Sequence, residues 1–310
     1  DRRNRGVHVS AHLQVGASGL TTLGERALNF DYLNGSAWVV LAGLLGLLVG
    51  SFLNVVIHRL PQMMERQWKA ECADMLGQAP PDLPQLNLLT PRSRCPQCGA
   101  GITWYQNIPV ISYLLLKGRC GNCHAPIGLR YPLVEVLCGA LFAWVATQHP
   151  AGASAVVWWG FVAALLALAF IDWDTTLLPD DITLPLVWAG LVGAALGWLD
   201  VQLPDALWGA VGGYLSLWLV YWGFKLVTGK EGMGYGDFKL FAALGAWMGW
   251  QALIPMILMA SVIGAVVGIA LKLGPGLREG GYVPFGPFLA FAGLFAMVFG
   301  PQTLLQWAGL

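Results

Sequence analysis

The strongest constraint on this chain is a succession of apolar runs, each long enough or nearly long enough to cross a lipid bilayer. A helical crossing takes about 20 apolar residues. Runs near 38–58, 131–148, 154–171, 182–199, 207–227, 239–251, 252–271 and 285–308 predict eight of them, the sixth short and the break before the seventh weakly marked. Such a chain has little left to wrap a water-soluble core: 56% of its residues are hydrophobic and only 11% charged. Its mean hydropathy is +0.61, and its fifteen tryptophans suit a protein whose indole rings settle at membrane–water boundaries. The predicted fold class is an all-α polytopic membrane protein of about eight transmembrane helices, with a small domain inserted after the first.

The polar stretches set the orientation. Residues 1–28 are polar, carry Arg2, Arg3, Arg5 and Arg26, and contain no apolar run of signal-peptide type; a disordered extension or a mis-assigned start is the expectation. Residues 29–58 hold the first crossing. Residues 59–130 form the one large hydrophilic segment, with eight basic residues (Arg59, Arg66, Lys69, Arg92, Arg94, Lys117, Arg119, Arg130) against four acids (Glu65, Glu71, Asp74, Asp82). Within it Ala79-Pro-Pro-Asp-Leu-Pro84 reads as an irregular loop. Lys and Arg in short loops favour the cytoplasmic side. Placing 59–130 there puts Lys225, Lys230, Lys239, Lys272 and Arg278 on the same side, while the opposite loops 149–153 and 200–206 carry neither residue type.

Inside the hydrophilic segment, Cys95-Pro-Gln-Cys98 and Cys120-Gly-Asn-Cys123 form a paired C-x2-C signature, with Gly99 following one pair and Gly121 inside the other. Two such turns can present four thiolates to a tetrahedral Zn2+. Redox dithiols or disulfides are the alternative. Four cysteine ligands leave no position for water, so this zinc is expected to hold a fold and not to catalyse. Cys72 and Cys138 read as ordinary residues.

Ionisable groups at the edge of a membrane helix are costly and call for an explanation. Asp237 lies in Glu231-Gly-Met-Gly-Tyr-Gly-Asp-Phe-Lys239, where Gly232, Gly234 and Gly236 remove side chains that a substrate backbone could otherwise meet. A helix N-cap is the plain alternative. Asp172 ends the third crossing in Phe170-Ile-Asp-Trp-Asp-Thr-Thr-Leu-Leu-Pro-Asp180, with Asp174, Asp180 and Asp181 close behind. Charge placement puts Asp172 and Asp237 on the same side of the membrane. Two adjacent carboxylates share a proton, one acting as base on water while the other polarises a carbonyl, which is peptide hydrolysis without a covalent intermediate. No G-x-S-x-G or H-E-x-x-H competes, and the histidines are scattered. Asn54 and His58, one turn apart near the end of the first crossing, could line a polar groove, but helix packing through Gly50, Ser51 and Asn54 accounts for them as well.

Gly234-Tyr-Gly-Asp237 resembles the GxGD motif of intramembrane aspartyl proteases. Together with Ile171-Asp-x5-Leu-Pro-Asp180, the paired C-x2-C and Gly50-Ser-Phe-Leu-Asn-Val-Val55, it resembles the bacterial type IV prepilin peptidases from about residue 29 to the C-terminus. The resemblance implies a catalytic pair Asp172 and Asp237, with Pro179, Gly234 and Gly236 supporting and Asp174 as the alternative first aspartate. It implies cleavage of the basic leader of prepilins and type II secretion pseudopilins after a glycine. N-methylation of the new N-terminus by S-adenosylmethionine follows, assigned to 59–130. Residues 131–310 become the protease domain, in a bacterial inner membrane. Pro284-Phe-Gly-Pro287 also fits the family, and physically reads as a kinked helix entry. No G-x-G-x-x-G follows a strand, and Asn54, Arg59, Glu65 and Asn107, with the stretch 107–112, are the methyl-donor candidates. The expected partners are pilin substrates and membrane lipid, with no nucleic acid. Two rivals are an ion-coupled transporter, disfavoured because the acids sit at helix ends and no internal repeat is visible, and a non-catalytic pilus assembly factor.

Overall fold

The computed structural model describes residues 35–79, 84–273 and 283–308. The expected extension 1–28, Arg278 and most of the expected loop 79–84 lie outside them. Among the described residues every predicted crossing is helical, and no strand occurs beyond two isolated bridges. The helices are α1 (Ser36–Met75), α2 (Ile111–Leu115), α3 (Arg130–Gln148), α4 (Ala153–Thr175), α5 (Asp180–Ala195), α6 (Leu203–Thr228), α7 (Tyr235–Met248), α8 (Leu253–Leu273), α9 (Gly286–Phe299) and α10 (Pro301–Ala308). Five are long and apolar enough to span a membrane: α1, α3, α4, α6, and α8 taken from Trp250. The shorter α5, α7 and α9 have 16, 14 and 14 residues.

Two boundaries differ from expectation. The first helix does not stop near residue 58. It runs through Pro61 to Met75, so the predicted domain boundary falls inside it. Its far end is a solvated helix held by polar pairs at i,i+4: Lys69 Nζ to Glu65 at 2.6 Å and Gln67 to Glu71 at 2.8 Å. The last predicted run, 285–308, is two helices, because Gly300 takes a left-handed φ of 80° and Pro301 opens the next helix.

The core explains why α7 is short. From Asp237 to Met248 every residue except the partly exposed Lys239 is buried, on every face of the helix. At about 1.5 Å per residue it is near 21 Å long, less than a hydrocarbon core of about 30 Å. Protein surrounds it where a longer helix would meet lipid. Its crossing with α6 is closest at a glycine pair: a Cβ on Gly209 would stand 2.1 Å from the Gly245 carbonyl oxygen, and one on Gly245 would stand 2.0 Å from that of Gly209. On another side the Trp247 indole donates to the Leu186 carbonyl of α5 at 2.8 Å.

The other enclosed helix is α4, whose Phe161, Val162, Leu165, Leu168 and Ile171 have no exposed surface. Trp247 of α7 packs against Trp158 and Phe161 of α4, with ring centroids 5.3 and 4.5 Å apart. These contacts join the start of α4 to the end of α7; further along, α9 lies between the two, a Cβ on its Gly293 standing 2.4 Å from Leu244 of α7 and 3.2 Å from Leu165 of α4.

Helix α1 packs on α3 through small residues. Added Cβ atoms on Gly46 and Gly50 would stand 2.7 Å from Phe142 Cβ and Glu135 Cα. Asn54 Nδ2 donates to the Tyr131 carbonyl at 3.1 Å. The helix-packing reading of Gly50 and Asn54 thus describes these residues, and van der Waals contact between backbones supplies the association.

Candidate active site and metal centre

Asp172 closes the apolar run of α4, and Asp237 lies in the first turn of α7; they are 5% and 6% exposed. Asp172 lies close enough for its charge to act on Asp237. A third element completes the arrangement. The backbone N–H of Gly286, at the start of α9, donates to Asp172 Oδ2 at 2.9 Å. A Cβ at Gly286 would stand 2.5 Å from that same oxygen, so only glycine lets the N–H approach.

The cap reading and the site reading of Asp237 describe different oxygens of one carboxylate. The N-cap is Gly234, and Asp237 occupies the third helical position. From there its carboxylate reaches back to the Gly234 backbone amide, half of a capping box. Its Oδ1 is buried and makes no hydrogen bond within the protein.

The glycines of this turn are not all clearing space for a substrate. A Cβ on Gly236 would meet Leu178 Cβ at 2.6 Å, and one on Gly232 would meet Phe224 at 2.9 Å. Both positions are filled by this chain's own side chains. At Gly234 the nearest atom, Asp237 Oδ2, is 3.7 Å away, so space remains there. Leu178 also lies 3.1 Å from the position of a Cβ on Gly286 and so wedges between α7 and α9. Neither Leu178 nor the role of Gly286 could be read from one chain; the Pro284–Pro287 segment gave only a helix entry.

The other acids lie further out. Asp174 pairs with Arg130, tying α4 to α3. Asp180 accepts from Lys239 Nζ at 2.6 and 2.7 Å. Pro179 is the N-cap of α5, its carbonyl accepting from the amides of Ile182 and Thr183.

The four cysteines of the paired motif converge, with Sγ atoms all within 4.8 Å of one another and Cys95 and Cys123 at 3.8 Å. A tetrahedral Zn2+ with Zn–S bonds of about 2.3 Å has S···S edges of about 3.8 Å, so the cradle fits. Two matching turns build it. Cys95 N–H donates to the Ala100 carbonyl and Gly99 N–H to that of Cys95; in the second turn Cys120 N–H donates to Ala125 and His124 N–H to Cys120. In each, the residue after the second cysteine is left-handed: Gly99 at φ 70°, but His124 at 56°. Gly121 has a different use, since a Cβ there would meet Gln106 Nε2 at 2.7 Å.

The thiols favour charge unequally. The Ala100 N–H, then the Asn122 amide, bring Cys98 down to about 6. The N–H groups of Cys123 and Asn122 lower Cys120. Cys123 has the Ala125 N–H in its favour, but burial and the neighbouring sulfurs outweigh it and push it up to about 11. Crowded thiolates oppose one another in this way, and a dication between them removes the conflict.

The methyl-donor candidates have other partners. Arg59, 9% exposed, donates to the carbonyls of Asn87, Leu88 and Pro91, tying the 87–91 loop to α1. Asn54 holds α3, Glu65 pairs with Lys69, and Asn107 is exposed.

Comparison with known proteins bears on this arrangement. The model of the bacterial peptidase A24 N-terminal domain matches residues 44–149, and that of the type IV leader peptidase family matches residues 159–269. A protein of Pseudomonas aeruginosa named prepilin leader peptidase/N-methyltransferase is 53% identical over 281 residues, 88% of this chain and 95% of the relative. The chain belongs to the prepilin leader peptidase family. Relatives with the same name from Stutzerimonas stutzeri and Aeromonas hydrophila are 52% and 50% identical, covering 89% and 91% of this chain and 97% and 98% of their own length. No solved structure matches. The boundary between the two family models falls just before and within α4, so Asp172 and Asp237 both lie in the leader-peptidase part and the cysteines in the N-terminal part.

Proposed function

We propose that this chain cleaves the basic leader from prepilins and type II secretion pseudopilins after a glycine, at the cytoplasmic face of a bacterial inner membrane. It then methylates the new N-terminus with S-adenosylmethionine. The observation that carries the cleavage reading is a pair of buried carboxylates, Asp172 and Asp237, brought from two helices within reach of each other's charge. A carboxylate pair shares one proton, so one member takes a proton from water while the other donates to the scissile carbonyl. Water oxygen bonds to the carbonyl carbon, the C–N bond breaks, and the leaving amine takes up a proton. The Gly286 N–H fixes Asp172, and Asp237 Oδ1, without a partner in the protein, is the oxygen available to water or substrate.

Orientation follows from charge. A leader rich in Lys and Arg stays cytoplasmic while the pilin helix enters the bilayer, which leaves the scissile bond at the boundary. The zinc module, held by Cys95, Cys98, Cys120 and Cys123, belongs to the part assigned to methyl transfer, where S-adenosylmethionine would supply the methyl group, its methyl–sulfur bond breaking to release a thioether as the freed amine gains the methyl and loses a proton. No residue is assigned to holding the donor. The transporter and assembly-factor readings give way because the relatives are named as enzymes.

The test is cleavage of a prepilin in membranes carrying Asp172→Asn or Asp237→Asn at normal abundance. Each should lose about 10²- to 10⁴-fold in rate, the range of a lost general acid or base. Ordinary processing by either variant refutes the pair.

A further inference from the structure

The module between α1 and α3 carries an apolar surface that neither proposed activity uses. In the five-residue α2, Ile111, Leu114 and Leu115 are 56%, 68% and 78% exposed. Trp104 and Tyr105, just before it, are 81% and 54% exposed. Leucines at such exposure on a water-facing domain are an aggregation hazard unless something covers them.

The attachment of α2 decides what does. Glu135, 8% exposed, is the sixth residue of α3, about 7–8 Å along that helix from its first residue. Its Oε2 accepts the Val110 N–H at 2.8 Å, and the Ser51 hydroxyl of α1 also bonds to it. Val110 is the N-cap of α2 and sits at φ 59°, a conformation β-branched residues rarely adopt. The bond therefore draws the start of α2 down beside a membrane helix, at a level where α3 exposes Leu133, Val136 and Leu137. The other end of α2 is fixed to the second cysteine turn through Tyr113, whose hydroxyl donates to the Ile127 carbonyl. Directly after α2 come Lys117 and Arg119, both exposed and neither in an ion pair among the described residues.

We propose that α2 is an interfacial lipid-binding element: Ile111, Leu114 and Leu115 enter the acyl boundary of the bilayer, and Lys117 and Arg119 contact anionic headgroups. The lipid-facing surface of α3 is continuous with it, and the order apolar then cationic matches the order acyl then headgroup. Exposed Trp104 and Tyr105 suit the boundary itself. The metal module is thus seated on the membrane on one face, independently of what chemistry it serves.

The test uses the full chain in vesicles of phosphatidylethanolamine and phosphatidylglycerol, with a membrane-impermeant maleimide and peptide mapping of the adducts. Leu114→Cys and Leu115→Cys should react at least about tenfold more slowly than Lys69→Cys, the factor expected for burying one leucine. Adding Glu135→Ala should speed labelling at 114, and so should replacing phosphatidylglycerol with phosphatidylcholine. Labelling at the Lys69→Cys rate overturns the proposal. Protection that fades as protein is diluted in lipid also overturns it, because a second copy would then be the cover. Indifference to headgroup charge removes Lys117 and Arg119 from it.

Discussion

Each of the two aspartates accepts a backbone N–H, Asp237 from Gly234 in its own turn and Asp172 from a distant helix. Gly286 lies 114 positions from Asp172 in the chain yet donates to it at 2.9 Å, and no side chain could be added there without meeting the same oxygen. Gly286→Ala should therefore displace the Asp172 carboxylate and lower prepilin cleavage by about 10²-fold, the scale of a misplacement near 1 Å. Methylation of a peptide already cleaved should not change. Gly234→Ala, whose Cβ would have ordinary contacts, should keep most cleavage; if it loses as much as Gly286→Ala, the turn needs its space for the leader peptide after all. The second residue-scale case is His124. It occupies the left-handed position that Gly99 takes in the matching turn, at a cost of roughly 1–2 kcal/mol for a non-glycine residue. His124→Gly should make the metal harder to remove, read as a higher chelator concentration at half release, with added freedom of the unfolded chain offsetting part of the gain.

At the scale of elements, α7 is positioned by contact on all sides and has little freedom to move. The Gly209–Gly245 crossing sets how near α6 approaches, and α6 leads directly into the turn that carries Asp237. Gly245→Val should force the two helices apart, lowering stability by about 1–3 kcal/mol, as overpacking does. Thermal unfolding in detergent would show it, and cleavage should fall further than occupancy of the folded state explains. Sequence periodicity located these helices but not their ends. The first apolar run ends near residue 58, where polar residues begin, whereas the helix continues through Pro61 to Met75. The single run assigned to 285–308 passes over Gly300-Pro301, a turn signal, and the positive φ of Gly300 ends α9 there. A hydropathy run measures burial or lipid contact and does not register where a helix stops.

The whole molecule divides its proposed labour between parts joined by α1. The cysteine cradle stands on turns outside the bundle, while both aspartates sit within it. Chelation of the metal, or Cys95→Ser with Cys120→Ser, should remove about one equivalent of zinc and leave cleaved but unmethylated product, measured by the mass of the N-terminal peptide. Loss of cleavage alone would reverse the assignment.

What the sequence determined by itself was local or periodic. Apolar runs specified a helical membrane protein, paired C-x2-C turns predicted four converging sulfurs, and Lys/Arg asymmetry led to the expectation that Asp172 and Asp237 share one side. Those signals need only the composition or spacing of neighbouring residues. The tertiary structure decided which partners each group meets. The arrival of α9 between α4 and α7 decided the surroundings of the aspartates and supplied the Gly286 N–H to Asp172. Gly236 turned out to make room for Leu178, and Gly232 for Phe224, so most of the glycine turn serves packing within the chain. Contacts between distant segments depend on how whole helices approach, and that follows from shape complementarity summed along their length, which a single sequence does not display.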